Sequence, residues 1–144
     1  MDIRPGRVED IDQIIPIVEE FHAETLDRFG FSGDEDKVRA LAVACIDTSF
    51  MAWEGDRLIG VIGGQVVVPS SGNEKIWQEY IWYVLPEYRS VGLKLYAKME
   101  QKCRDMEITK MVMVHMCDKI GDKVASVYDK IGYRPFEIHY VKEL

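Results

Sequence analysis

The sequence predicts an α/β (α+β) domain, a single mixed sheet covered by helices. Three observations carry that expectation. Two helical periodicities come before the middle strands, and further strands then alternate with helices. Residues 77–107 join an aromatic, β-branched strand to a helix through a basic turn that holds one glycine. At 144 residues the chain makes one domain, residues 1–144, with room for a sizeable core.

Taken in order, Met1 to Arg4 reads as a short first strand. Val8, Ile11, Ile14, Ile15, Val18, Phe21, His22 and Thr25 keep helical spacing. Pro16 falls inside that run and is expected to kink or split the helix. Its acidic face, Glu9, Asp12, Glu19, Glu20 and Glu24, reads as solvated. Phe29-Gly-Phe31-Ser-Gly33 breaks the pattern, and both aromatics read as loop anchors. Asp34 can cap a second helix whose buried side is Val38, Leu41, Ala42, Cys45 and Ile46. Phe50 to Glu54 and Arg57 to Val68 are strands joined by a tight turn at Gly55-Asp56. Gly60, Gly63 and Gly64 suggest bends or close backbone approach. The central strand runs from Trp77 to Leu85 and Pro86 stops it. Val91, Leu95, Met99, Cys103 and Met106 then form one face of a helix. Met111 to Met116 is another strand. Asp122 or a neighbour starts a short helix that Gly132 ends, and Phe136 to Val141 reads as a final strand.

Composition excludes several functions. Net charge is −7 and the pI is near 5.0, which argues against nucleic acid as a partner. The same balance leaves room for a cationic or amine substrate. No apolar run reaches the roughly 18 residues that span a membrane, and the N-terminus lacks the layout of a signal peptide. Cys45, Cys103 and Cys117 have no metal-ligand spacing, so no metal is expected. They read as reduced thiols of a cytoplasmic protein.

Arg89-Ser90-Val91-Gly92-Leu93-Lys94 sits between the central strand and its helix. A helix start leaves N–H groups unpaired and carries partial positive charge. A glycine lets a ligand approach the backbone. The stretch therefore reads either as a phosphate seat or as an ordinary connection with a packing glycine.

The segment Val84-Leu85-Pro86-Glu87-Tyr88-Arg89-Ser90-Val91-Gly92 resembles the core motif of the GNAT family of N-acetyltransferases. That motif runs Gln or Arg, two residues, Gly, one residue, then Gly or Ala. Arg89 and Gly92 fit it, and Lys94 stands where the family has a small residue. Ala125-Ser126-Val127-Tyr128-Asp129-Lys130-Ile131-Gly132-Tyr133 is similar to the family's late helix. The resemblance covers the chain in element order and is specific at these two segments.

It implies an acyl-CoA N-acyltransferase-like fold with a mostly antiparallel central sheet. It also implies acetyl-CoA as co-substrate and a small-molecule or peptide amine as acceptor, with a homodimer left open. The backbone of Trp82, Tyr83 and Val84 would lie beside the pantetheine and acetyl group. The turn at Arg89 and the N–H groups of Ser90, Val91, Gly92, Leu93, Lys94 and Leu95 would hold the pyrophosphate. Lys94 would add a cation there or obstruct it by its bulk. Tyr128 corresponds to the tyrosine that protonates the departing thiolate.

Acyl transfer from a thioester to an amine needs a donor for the developing oxyanion and a base for the amine proton. Glu79 is on the central strand, about one residue out of register with the family's catalytic glutamate. His115 ends the next strand with an ordinary pKa of about 6.5. A water chain, or an amine already neutral, could replace both. Ser49, Ser126 and Thr25 form no triad pattern, and Cys117 near His115 does not make a thiol nucleophile. Two functions stay open. One is an N-acetyltransferase acting by direct attack; the other is a non-catalytic protein of this fold that binds CoA or a protein partner.

Overall fold

The computed structural model describes residues 1–144. Five strands form one sheet in sequence order: β1 (Asp2–Pro5), β2 (Ser49–Glu54), β3 (Arg57–Val67), β4 (Ile76–Val84) and β5 (Met111–Val112). The first three neighbour pairs are antiparallel and β4–β5 is parallel. This is the mixed, mostly antiparallel sheet expected. Helices α1 (Ile11–Thr25), α2 (Glu35–Cys45), α3 (Gly92–Asp105) and α4 (Lys119–Lys130) flank it.

Sequence chemistry accounts for these elements. Arg4 and Asp10 form a two-pronged ion pair, both contacts at 2.8 Å, and Asp10 also accepts the Arg7 N–H at 2.9 Å. That junction ties β1 to the start of α1. Asp34 accepts the Lys37 N–H at 3.0 Å and so caps α2 as predicted. The β2–β3 hairpin turns at Gly55, whose φ is +58°. The β3–β4 register shifts between Gly63 and Gly64. A Cβ on Gly64 would lie 2.0 Å from the Gln78 carbonyl oxygen, so only glycine lets the backbones approach this closely.

The core fills the space between the sheet and α1 and α3. Met51, Ile59, Ile62, Trp77, Leu95 and Met99 are all fully buried in it. Alternation along β4 puts Trp82 on the α3 side and Tyr83 on the α1 side. Accordingly Trp82 packs on Tyr96 of α3, and Tyr83 packs on Phe21 of α1.

The structure corrects several expectations. Helix α1 runs unbroken through Pro16, which sits on its exposed side. Leu41 and Met106 are exposed rather than buried. The strand expected at Met111 to Met116 pairs only at Met111 and Val112. Helix α4 starts before Asp122, because Asp118 caps it by accepting the Gly121 N–H. Phe136 to Val141 forms no strand and is exposed. Cys45 and Cys103 are buried thiols, each pushed up to about 11 by burial, whereas Cys117 is exposed. No helix is long and apolar enough to cross a membrane.

Candidate active site

The site begins where β4 and β5 part. They pair only at Trp77 with Met111 and at Gln78 with Val112. From Glu79 to Val84 the edge of β4 that faces β5 has no strand partner, while its other edge stays on β3. Two side chains take over the main chain of Val114 at this opening. Glu79 Oε2 accepts the Val114 N–H at 2.8 Å, and the Tyr128 hydroxyl donates to the Val114 carbonyl at 2.9 Å. A carboxylate and a phenol thus replace the ladder bonds that another strand residue would have made.

Glu79 is 6% exposed and its other oxygen has no partner in the protein. Burial pushes its pKa up to about 7, and the Val114 N–H only partly offsets this. Tyr128 is also buried, and burial first, then the charge of Glu79, raises its pKa well above the ordinary phenol value. Both groups line one cavity of about 340 Å³, whose walls are mostly apolar.

At one end of this cavity is the predicted turn. Residues Pro86–Val91 wind as a 3-10 helix that continues into α3. The Gly92 N–H therefore already donates to the Arg89 carbonyl. Gly92 has ordinary helical angles, φ −53° and ψ −46°, so its backbone does not require glycine. A Cβ there would only touch the Trp82 ring, at 3.7 Å or more. The Trp82 Nε1 donates to the Gly92 carbonyl at 3.2 Å. Trp82, Tyr96, Tyr128 and Tyr133 pack as one aromatic cluster with ring centroids 5.3–6.2 Å apart. Lys94 points to solvent with no ion partner, beside the exposed Ser90 and Leu93, while Val91 and Leu95 belong to the core.

Helix α1 supplies the wall that adjoins this turn. Glu24 accepts the Tyr83 hydroxyl at 2.6 Å and pairs with Arg89 at 2.9 Å. The Arg89 guanidinium also lies 4.9 Å from the centroid of the Tyr83 ring. Arg89 thus reaches toward α1, away from the start of α3. Across the opening, Asp118 pairs with Arg28 at 3.3 Å. Glu24 belongs to the acidic face expected to be solvated, yet it lines the cavity, within four residues of Phe21 and Thr25 on the inward stripe. His115 lies outside the cavity lining and meets Asp122 at 3.3 Å.

The β4 edge left open where it parts from β5 can pair with an extended ligand through its main chain. The sequence matches the model of the acetyltransferase (GNAT) family over residues 15–133. The chain belongs to that family and is an N-acetyltransferase. Several solved structures share the fold. One is a ribosomal-protein-alanine N-acetyltransferase from Brucella melitensis biovar Abortus 2308, with 18% identity and a TM-score of 0.73, covering 99% of this chain and 98% of that one. Another is a possible acetyltransferase from Clostridium difficile 630, with 22% identity and a TM-score of 0.72, over 99% and 97% of the two chains. A third is AAC(6')-Iy in complex with the bisubstrate analog CoA-S-monomethyl-acetylneamine, with 16% identity and a TM-score of 0.73, over 99% and 98%. No curated protein sequence matches the chain significantly.

Proposed function

We propose that the protein moves an acetyl group from acetyl-CoA to a primary amine by direct attack. The observation that carries this reading is the open seam beside Glu79 and Tyr128, both tied to Val114. The amine nitrogen attacks the thioester carbonyl carbon. The C–N bond forms, the C–S bond breaks, and free CoA leaves. Glu79, through its unpartnered oxygen, takes the proton that the amine loses. Tyr128 returns a proton to the departing sulfur. His115, which faces Asp122 outside the cavity, drops out as the base.

In this reading the backbone of Trp82, Tyr83 and Val84 pairs with the pantetheine as a missing strand would. The pyrophosphate meets the turn from Arg89 to Leu95. Its 3-10 hydrogen bonds have poor geometry and exchange at little cost for a phosphate. Gly92 lines the cavity beside the Trp82 ring, so a branched side chain there would take space that the cofactor needs. Gly92→Val should therefore weaken acetyl-CoA binding at least tenfold, about 1.4 kcal/mol, with the melting temperature nearly unchanged. Calorimetric titration of the folded variant checks this, and unchanged affinity would sink the placement.

Lys94 is exposed in the first turn of α3, within reach of a phosphate bound at the helix start. Lys94→Ala should raise the dissociation constant for acetyl-CoA, and more so at low salt, where screening is weak. Tighter binding by the alanine variant would mean that the side chain obstructs the site.

The Tyr128 hydroxyl hydrogen is committed to the Val114 carbonyl in the resting site, so proton delivery to the sulfur requires that bond to break first. The free cysteines suit a reducing compartment, so we place the protein in the cytoplasm.

A further inference from the structure

The polar groups around the cavity can be counted one by one, and almost all are already engaged. At the α1 end, Glu24 is held by Tyr83 and Arg89. Thr25 donates to the Phe21 carbonyl. Asp118 caps α4 and pairs with Arg28. The Trp82 indole donates to Gly92, and the Tyr128 hydroxyl donates to Val114. Arg89 cancels the charge of Glu24, and Arg28 cancels that of Asp118. What remains is one oxygen of Glu79, a carboxylate that is 6% exposed and lines the cavity, together with the rim phenol of Tyr80. The surrounding surface is apolar, with Phe21, Leu26, Met116, Ile120 and Val124 among the walls.

From this we infer that the acceptor is an apolar monoamine, its single amino group on Glu79 and its hydrocarbon or aromatic body against Phe21, Met116 and Ile120. This rests on the acetyl-transfer reading and narrows it. A second ammonium on the acceptor would find only carboxylates already matched by arginines. Away from the β4 edge that the pantetheine would occupy, sugar hydroxyls would find few free side-chain partners, and each one buried unpaired costs a few kcal/mol. A site whose free side-chain polar groups are one buried carboxylate oxygen and one rim phenol discriminates against such polyfunctional amines. Overall negative charge draws any cation toward the mouth, but the contacts inside select among them.

The test uses the purified full chain with three probes: 2-phenylethylamine, spermidine and kanamycin. First, each amine is titrated calorimetrically into the protein with CoA present, so that binding is read without turnover. Second, kcat/KM is measured with acetyl-CoA by CoA release. 2-Phenylethylamine should bind at least tenfold tighter than spermidine or kanamycin, and its kcat/KM should be at least tenfold higher. Equal or reversed preference would overturn the inference. Arg28→Gln, outside the reacting groups, uncovers Asp118. It should raise kcat/KM for spermidine at least threefold relative to 2-phenylethylamine, and no relative change would refute the charge count. The two readings fail differently. Acetyl-CoA cleavage with a polyamine preferred removes only the acceptor class. Acetyl-CoA binding without cleavage for any amine removes acetyl transfer itself.

Discussion

Replacing Tyr128 with phenylalanine should lower turnover about 10²-fold, within the usual range for an acid–base group. The substitution keeps the ring, so the packing against Trp82 and Tyr133 survives. It removes one hydrogen bond to the Val114 carbonyl. Val114 is exposed, so water can serve that carbonyl and folding stability should fall by no more than about 1 kcal/mol. KM for acetyl-CoA should change little, because the hydroxyl acts as charge develops on sulfur. Its raised pKa keeps Tyr128 protonated throughout the working range, as an acid must be. Wild-type turnover in the phenylalanine variant, measured where chemistry limits the rate, would remove Tyr128 from the mechanism.

Glu79→Gln should have an effect of similar size on rate and an opposite effect on stability. As the base, Glu79 must be ionised, so wild-type kcat/KM should rise with pH through about 7, the value to which burial pushes it. The glutamine variant should be roughly 10²-fold slower above pH 7 and should lack that rise. For stability, the folded pKa of about 7 lies above the ordinary value of 4.5. Below pH 4.5 both folded and unfolded chains hold the proton, and burial of a charge costs nothing. As the pH climbs toward 7 the unfolded chain releases its proton first, so folding weakens across that window. Above 7 the cost is constant, on the order of 3 kcal/mol. Glu79→Gln should therefore raise the melting temperature at pH 8 and much less at pH 5. Thermal melts at the two pH values read this directly. Equal shifts would show that the buried carboxylate does not titrate as its surroundings require.

How much of this was legible in the sequence depended on whether local chemistry or distant partners decided the outcome. The Gly55-Asp56 hairpin and the Asp34 cap use residues that fix their own geometry, and both formed as read. Helix α3 shows its buried stripe at Leu95, Met99 and Cys103, because apolar periodicity records burial. Met106 continued that pattern but falls just beyond the last turn, where the helix has ended. Met111 to Met116 has the composition of a strand, yet beyond Val112 its main chain bonds to the side chains of Glu79 and Tyr128 instead of the β4 main chain. No local pattern reports a side chain 35 residues away. Phe136 to Val141 alternates as a strand does, but a strand needs a partner edge and none is engaged. At the site, the family resemblance points to Gly92, Trp82 and Tyr128, and all three line the cavity. Glu24 could not be placed this way, because its partners Tyr83 and Arg89 are about 60 residues away and reach it only through the fold.

The two-residue pairing of β4 with β5 also bears on how long the protein lasts in a cell. Beyond it, residues 113–144 are held mainly by the Val114 bonds, by Arg28 on Cys117 and Asp118, and by Tyr128 and Tyr133 against Trp82 and Tyr96. A segment with so few ladder bonds opens at a fraction of the global unfolding free energy, and such openings expose cleavable backbone. In the proposed complex, acetyl-CoA bridges the seam and binds only the closed form. At a hundred times its dissociation constant it would disfavour opening by about 2.7 kcal/mol. Susceptibility to proteases would then follow the supply of the acyl donor.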